Sequence, residues 1–97
     1  MVSQRGEAKI IANLGKKIRS LREDAAISQT ELAVILGLSP TSKGVISEVE
    51  SGKKLPGIEF VLQIAERFGV STDYLLRDDI PIRKTDDVTD NQPNITQ

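Results

Sequence analysis

The stretch GLSPTSKGVISEVESGK (residues 37–53) decides how the chain folds. Gly37 reads as the stop of a preceding helix, because a left-handed C-terminal residue costs glycine nothing. Ser39-Pro40-Thr41-Ser42 is rich in residues that favour turns and helix starts. From Lys43 to Ser51 the pattern is helical, with Ser42 or Thr41 as its cap and Gly52 as its stop. Val45, Ile46 and Val49 form an inward stripe. Lys43, Gly44, Ser47 and Glu48 are left on the outer side, which is short, polar and close to the helix N-terminus.

The same reading extends outward in both directions. Ile10, Ile11, Leu14, Ile18, Leu21 and Ala25 step by three and four, which predicts an amphipathic helix over 8–25. Lys16, Lys17, Arg19 and Glu23 point away from that stripe, and the three cations read as a solvated face. Ser28 and Glu31 make a capping box in which each satisfies an orphan N–H of the other's turn. A second helix follows over 29–36, with Leu32, Ala33, Ile35 and Leu36 as its apolar residues. After a loop through Lys53, Lys54, Leu55, Pro56 and Gly57, the run Ile58 to Phe68 is apolar on nearly all sides. Such a helix is expected to be buried in the middle of the fold. Gly69 stops it, and Ser71 caps a last short helix carrying Tyr74, Leu75 and Leu76, with Asp73 placed against its dipole. No strand signal interrupts the body.

Composition breaks near residue 78. Residues 1–54 hold nine Lys/Arg against six Asp/Glu, whereas residues 78–97 hold two against five. A mildly basic body thus precedes an acidic tail. The expected organisation is a flexible N-terminus over 1–7, one domain over 8–79, and a polar, largely disordered tail over 80–97. The DIPIR piece (79–83) fits an extended strand.

Composition also excludes functions. The 97 residues suffice for one small domain. Cysteine and histidine are both absent. That removes disulfides, thiolate metal sites, the usual general base and the commonest metal ligand. Aromatic residues make up 3%, too few for a platform that stacks single-stranded bases. Asp78 and Asp79 are adjacent on what reads as a frayed end, Ser47 has no base beside it, and no Gly-rich loop follows a strand. No enzyme, metal, cofactor or small-molecule ligand is expected. With no apolar run near the ~20 residues of a membrane span and no signal-peptide pattern, the expected compartment is the cytoplasm.

Two helices joined by a short Gly-containing turn form a helix-turn-helix unit, whose second helix can lie in a DNA major groove. The pieces SQTELAVILGLS, ISEVESGKKLP and FVLQIAERFGVSTDYLL resemble, in order, the helix-turn-helix family of phage Cro and λ-type repressors, also called the XRE family. The resemblance spans about residues 14–77. It implies an all-α, five-helix λ-repressor-like domain with helices 2 and 3 as the helix-turn-helix, usually a homodimer on a palindromic duplex operator. By position, it implies base contacts from Lys43, Gly44, Ser47 and Glu48. It further implies phosphate contacts from Gln29 and Lys53, and a structural ion pair of Arg22 with Glu50. Lys54 joins Lys53 as a phosphate candidate, since either can reach the backbone from that loop.

One departure bears on the site. The family places three residues between the turn Ser and the apolar residue of Ile-Ser, whereas six separate Ser39 from Ile46. Either Pro40 opens a longer recognition helix with Ser39 as cap, or residues 39–42 form a longer turn. Thr41 and Ser42 are therefore added to the candidate base contacts. The reading that follows is a duplex-DNA-binding transcriptional regulator. Its rival is a protein-interaction module on the same bundle, and a protein partner alongside DNA is a third option.

Overall fold

The computed structural model describes residues 11–83. It holds α1 (Leu14–Asp24), α2 (Gln29–Ile35), a 3-10 turn (Pro40–Ser42), α3 (Lys43–Ser51), α4 (Ile58–Phe68) and α5 (Thr72–Leu76). No strand is present among the described residues. The expected flexible N-terminus (1–7) and residues 84–97 of the expected disordered tail (80–97) lie outside them, whereas residues 80–83 of that tail are described.

Each boundary has a local cause. In α2, the Ser28 hydroxyl accepts from the Glu31 N–H at 2.9 Å, and the Glu31 carboxylate accepts from the Ser28 N–H at 2.7 Å. This is the capping box expected from the sequence. Ser71 caps α5 by accepting from the Tyr74 N–H at 2.9 Å. Gly52 ends α3 in the left-handed region at φ 85°, a conformation that costs any other residue steric strain. Ala26 ends the first helical segment at φ 60° without that freedom.

All five helices supply the core: Leu14 and Ile18 from α1, Leu32 and Ala33 from α2, Ile46 and Val49 from α3, Val61, Ile64 and Ala65 from α4, and Tyr74 and Leu75 from α5. α1 and α2 both pack on α3. The approach of α1 is close enough to demand glycine. A Cβ on Gly15 would sit 2.3 Å from the Val49 carbonyl oxygen and 2.7 Å from that of Glu50.

Several expectations need correction. The first helix begins at Leu14 rather than residue 8, since Ile11 to Asn13 are not helical and residues 8–10 lie outside the described residues. The cause is tertiary: the Asp78 carboxylate accepts from the Ala12 and Asn13 N–H groups at 2.7 and 3.0 Å, fixing the chain just ahead of the helix. Asp78 is thus not on a frayed end. These bonds hold its carboxyl below the usual carboxylate range. The segment 79–83 is not a strand; Ile80 packs on the core, and the Arg83 N–H donates to the Tyr74 hydroxyl at 3.0 Å.

Lys17 does not face solvent. It is fully buried, and its ammonium donates to the carbonyls of Tyr74 and Arg77, satisfying acceptors at the end of α5. Burial pushes its pKa down. Lys16 and Arg19 are exposed as expected. Nor is α4 buried all round: Ile58 is 87% exposed and Leu62 47%, because one side of the helix has no neighbour to cover it.

Candidate DNA interface

The site is built on α3 and what precedes it. Ile46 and Val49 are buried and Val45 is packed against the core, which fixes the rotation of the helix. That rotation leaves Lys43, Gly44, Ser47 and Glu48 exposed together. Thr41 is exposed and Ser42 half-buried just ahead of them.

The three extra residues resolve into a single 3-10 turn that runs straight into α3. Ser39 is its cap, accepting from the Thr41 N–H at 3.2 Å, and Pro40 occupies the first position, where a missing N–H costs nothing. The helical ridge is therefore extended by a tighter turn. Ser42 stands at the N-cap position of α3, but its side chain caps nothing. A cap needs extended backbone, and Ser42 is already curled at φ −87°, ψ 13°. The hydroxyls of Ser39 and Thr41 lie 2.8 Å apart and bond to each other.

Beneath α3 is a buried polar cluster. The Arg22 guanidinium on α1 grips the Glu50 carboxylate with Nε–Oε2 at 2.7 Å and Nη2–Oε1 at 3.1 Å, a two-pronged geometry. Arg22 also donates to the Ile27 carbonyl at 2.8 Å. Bonding to Glu50 pushes the Arg22 pKa up. The Gln29 amide at the start of α2 donates to Glu50 Oε1 at 3.1 Å. One carboxylate thus ties the end of α3 to α1 and to the first residue of α2, fixing the two helices of the motif relative to each other. It also commits one of the Gln29 amide protons to the protein interior.

Lys53 and Lys54 follow the α3 stop and are exposed. Among the described residues, neither they nor Lys43 pairs with a carboxylate. Three free ammonium groups therefore flank one polar helix edge. No group of His, Cys, Asp and Glu suited to a metal ion occurs among the described residues. No described helix is long and apolar enough to cross a membrane.

The sequence pattern of the helix-turn-helix family matches residues 18–75, more than half of the chain. The chain belongs to the helix-turn-helix family of Cro and C1-type repressors. This is a family of DNA-binding regulators, not enzymes. Among solved structures, the P22 c2 repressor in complex with synthetic operator 9T is similar, with 32% identity and a TM-score of 0.57 over 65% of this chain and 91% of that one. The solution structure of the P22 c2 repressor DNA-binding domain gives 30% identity and a TM-score of 0.58, covering 73% of this chain and 90% of that one. Comparison with curated proteins gave no match.

Sequence reading missed several positions that shape this site. Lys17 had a signal: with Leu14, Ile18 and Leu21 it falls on the i, i+3, i+4, i+7 stripe. Gly15 had a weaker one, a glycine inside a helical pattern. The Asp78 and Gln29–Glu50 bonds had none, since their partners are far apart in the chain.

Proposed function

We propose that the chain binds a specific duplex DNA sequence as a homodimer on a palindromic operator and represses transcription from it. The observation that carries this reading is the outer edge of α3. It is exposed, polar and flanked by unpaired lysines, and it belongs to the second helix of a helix-turn-helix whose relatives include a repressor bound to a synthetic operator. Lys53 and Lys54 neutralise phosphates and set the register, with the first-turn N–H groups of α2 and the remaining Gln29 amide proton beside them. Lys43 reaches guanine O6/N7 or a phosphate, Glu48 accepts from cytosine N4, and Ser47 contacts a base edge while keeping the helix close. Thr41 and Ser42 extend the ridge toward the next base pair. Gly44 supplies clearance: a Cβ there would meet nothing within 4 Å, so nothing in the protein itself demands glycine.

One such edge reads only a few base pairs, so two copies side by side, with their α3 helices one DNA turn or about 34 Å apart, supply the affinity. Selection of bound duplexes from a random pool tests the proposal. It predicts a palindrome with half-sites about 10 base pairs apart. Lys53→Ala should weaken binding to all duplexes alike and flatten the salt dependence by about one counterion per protomer. Ser47→Ala and Glu48→Ala should instead change which duplexes win. A chain that selects no duplex and ignores random duplex at low salt has another function, with the rival protein-interaction module next in line.

A further inference from the structure

Ser39 and Thr41, on either side of Pro40, are both exposed and are bonded to each other ahead of α3. The turn they frame is made by the three residues that this chain has beyond the family spacing. Thr41 precedes Gly44 by three residues, as Gly44 precedes Ser47, so Thr41 continues the exposed edge of α3. A Cβ at Gly44 would meet nothing within 4 Å, which leaves that edge open between Thr41 and Ser47. Three helical residues advance roughly 5 Å, more than the about 3.4 Å between stacked base pairs. Thr41 therefore meets a base pair beyond those that Ser47 and Glu48 face.

The backbone of this turn has little to offer a phosphate. Pro40 has no N–H, the Thr41 N–H donates to the Ser39 hydroxyl at 3.2 Å, and the Ser42 N–H donates to the Ser39 carbonyl at 2.8 Å. No lysine or arginine lies between Gln29 and Lys43. What remains is the pair of hydroxyls, Ser39 Oγ and Thr41 Oγ1, 2.8 Å apart. Two hydroxyls that bond to each other spend one proton between them and keep one. Ser39 Oγ already accepts from the Thr41 N–H, which polarises its own O–H as a donor toward Thr41 Oγ1. The unspent proton is then that of Thr41, at the end of a chain of bonds running from its own N–H through the Ser39 hydroxyl. Pro40 fixes φ between the two residues, so the unit is held in place before DNA arrives.

We propose that this unit reads a guanine: the Thr41 hydroxyl donates to N7 on the major-groove edge, and Ser39 is the residue that positions it. Guanine fits a lone donor best, because its edge carries two acceptors, N7 and O6. Adenine and cytosine present amino groups there, and thymine a methyl beside O4. The proposal rests on the DNA-binding reading above. It adds to that reading a positioning residue, Ser39, and the atom that Thr41 contacts.

Fluorescence anisotropy of the full chain on its selected duplex tests this, with each guanine of a half-site replaced in turn by 7-deazaguanine, in which a carbon stands for N7. One such replacement should weaken the parent about three- to tenfold, the range of one neutral hydrogen bond. Thr41→Val keeps the shape and removes the hydroxyl. It should lose the same factor on the unmodified duplex and become indifferent to 7-deazaguanine at that position. Thr41→Ser, which keeps the hydroxyl, should retain the sensitivity. Ser39→Ala should weaken the parent by roughly twofold or more, and should not weaken Thr41→Val at all. Because Ser39→Ala also removes the cap of the turn, thermal melts accompany it, whereas Thr41→Val leaves that cap in place. A Thr41→Val protein with the affinity and 7-deazaguanine response of the parent overturns the proposal. So does one that weakens on every duplex alike, random sequence included, which is the mark of a phosphate contact. If Ser47→Ala and Glu48→Ala then still change which duplexes win, the DNA reading stands without it. A parent that selects no duplex ends both.

Discussion

Replacing Gly15 by Ala should destabilise the domain, although alanine is the better helix former. The added Cβ would lie 2.3 Å from the Val49 carbonyl oxygen, 2.7 Å from that of Glu50 and 2.9 Å from the Glu50 carbonyl carbon. Ordinary contact begins at 3.4 Å, so α1 must withdraw from α3 by roughly 1 Å. Every atom in the way is backbone, and no side-chain rotation can relieve the overlap. Withdrawal also loosens Leu14 and Ile18 against Ile46 and Val49, and lengthens the 2.7 Å bond from Arg22 to Glu50. Overpacking of this kind costs about 1–3 kcal/mol, and here the loosened core and ion pair add to it. The helical preference of Ala over Gly returns up to about 1 kcal/mol. The net loss is about 2 kcal/mol, a fall in Tm of about 8–16 °C for a domain of this size. Thermal and urea unfolding followed by circular dichroism measure it. Gly44→Ala is the internal control: it makes the same chemical change in a helix, with nothing within 4 Å and no left-handed backbone. It should gain about 0.5–1 kcal/mol of stability and lose affinity for the selected duplex. A Gly15→Ala protein as stable as the parent would refute the close-packing argument.

Glu50→Ala strands the Arg22 guanidinium among buried groups and releases Gln29; a loss of about 3–5 kcal/mol is expected in urea unfolding. Asp78→Asn removes a carboxylate whose pKa is held down by the Ala12 and Asn13 N–H groups. Because the folded pKa lies below the unfolded one, Asp78 stabilises above the unfolded value near 3.9 and loses that effect as pH falls through the folded value. The variant should therefore melt lower at neutral pH and show a flatter decline below about pH 4. Lys17→Met leaves the Tyr74 and Arg77 carbonyls without their donor and should cost about 1–3 kcal/mol, read from thermal melts. Ala26→Gly relieves a left-handed non-glycine residue at φ 60° and should raise Tm by a few degrees, about 0.5–1 kcal/mol.

What the sequence determined by itself is what neighbouring residues settle between themselves. The Ser28–Glu31 box, the Ser71 cap, the stop at Gly52 and the exposed edge of Lys43, Gly44, Ser47 and Glu48 all follow from spacings of one to four residues. The order of the motif pieces then names the family. Whether residues 39–42 turn or wind could not be read locally, because Pro40 suits both. Only the packed chain decides that they wind as a 3-10 turn and leave Ser42 without a cap to make. The tertiary structure alone decides that Lys17 goes inside, since its acceptors lie at Tyr74 and Arg77. It alone brings Asp78 back to Ala12 and Asn13, 66 and 65 residues away, and Gln29 to Glu50, 21 residues away. It also leaves Ile58 and Leu62 in solvent on a helix whose composition reads as buried. Hydrophobic periodicity says that a residue is apolar and which face it shares. Whether anything covers that face depends on how many neighbours the fold can bring to it, and five short helices do not surround α4.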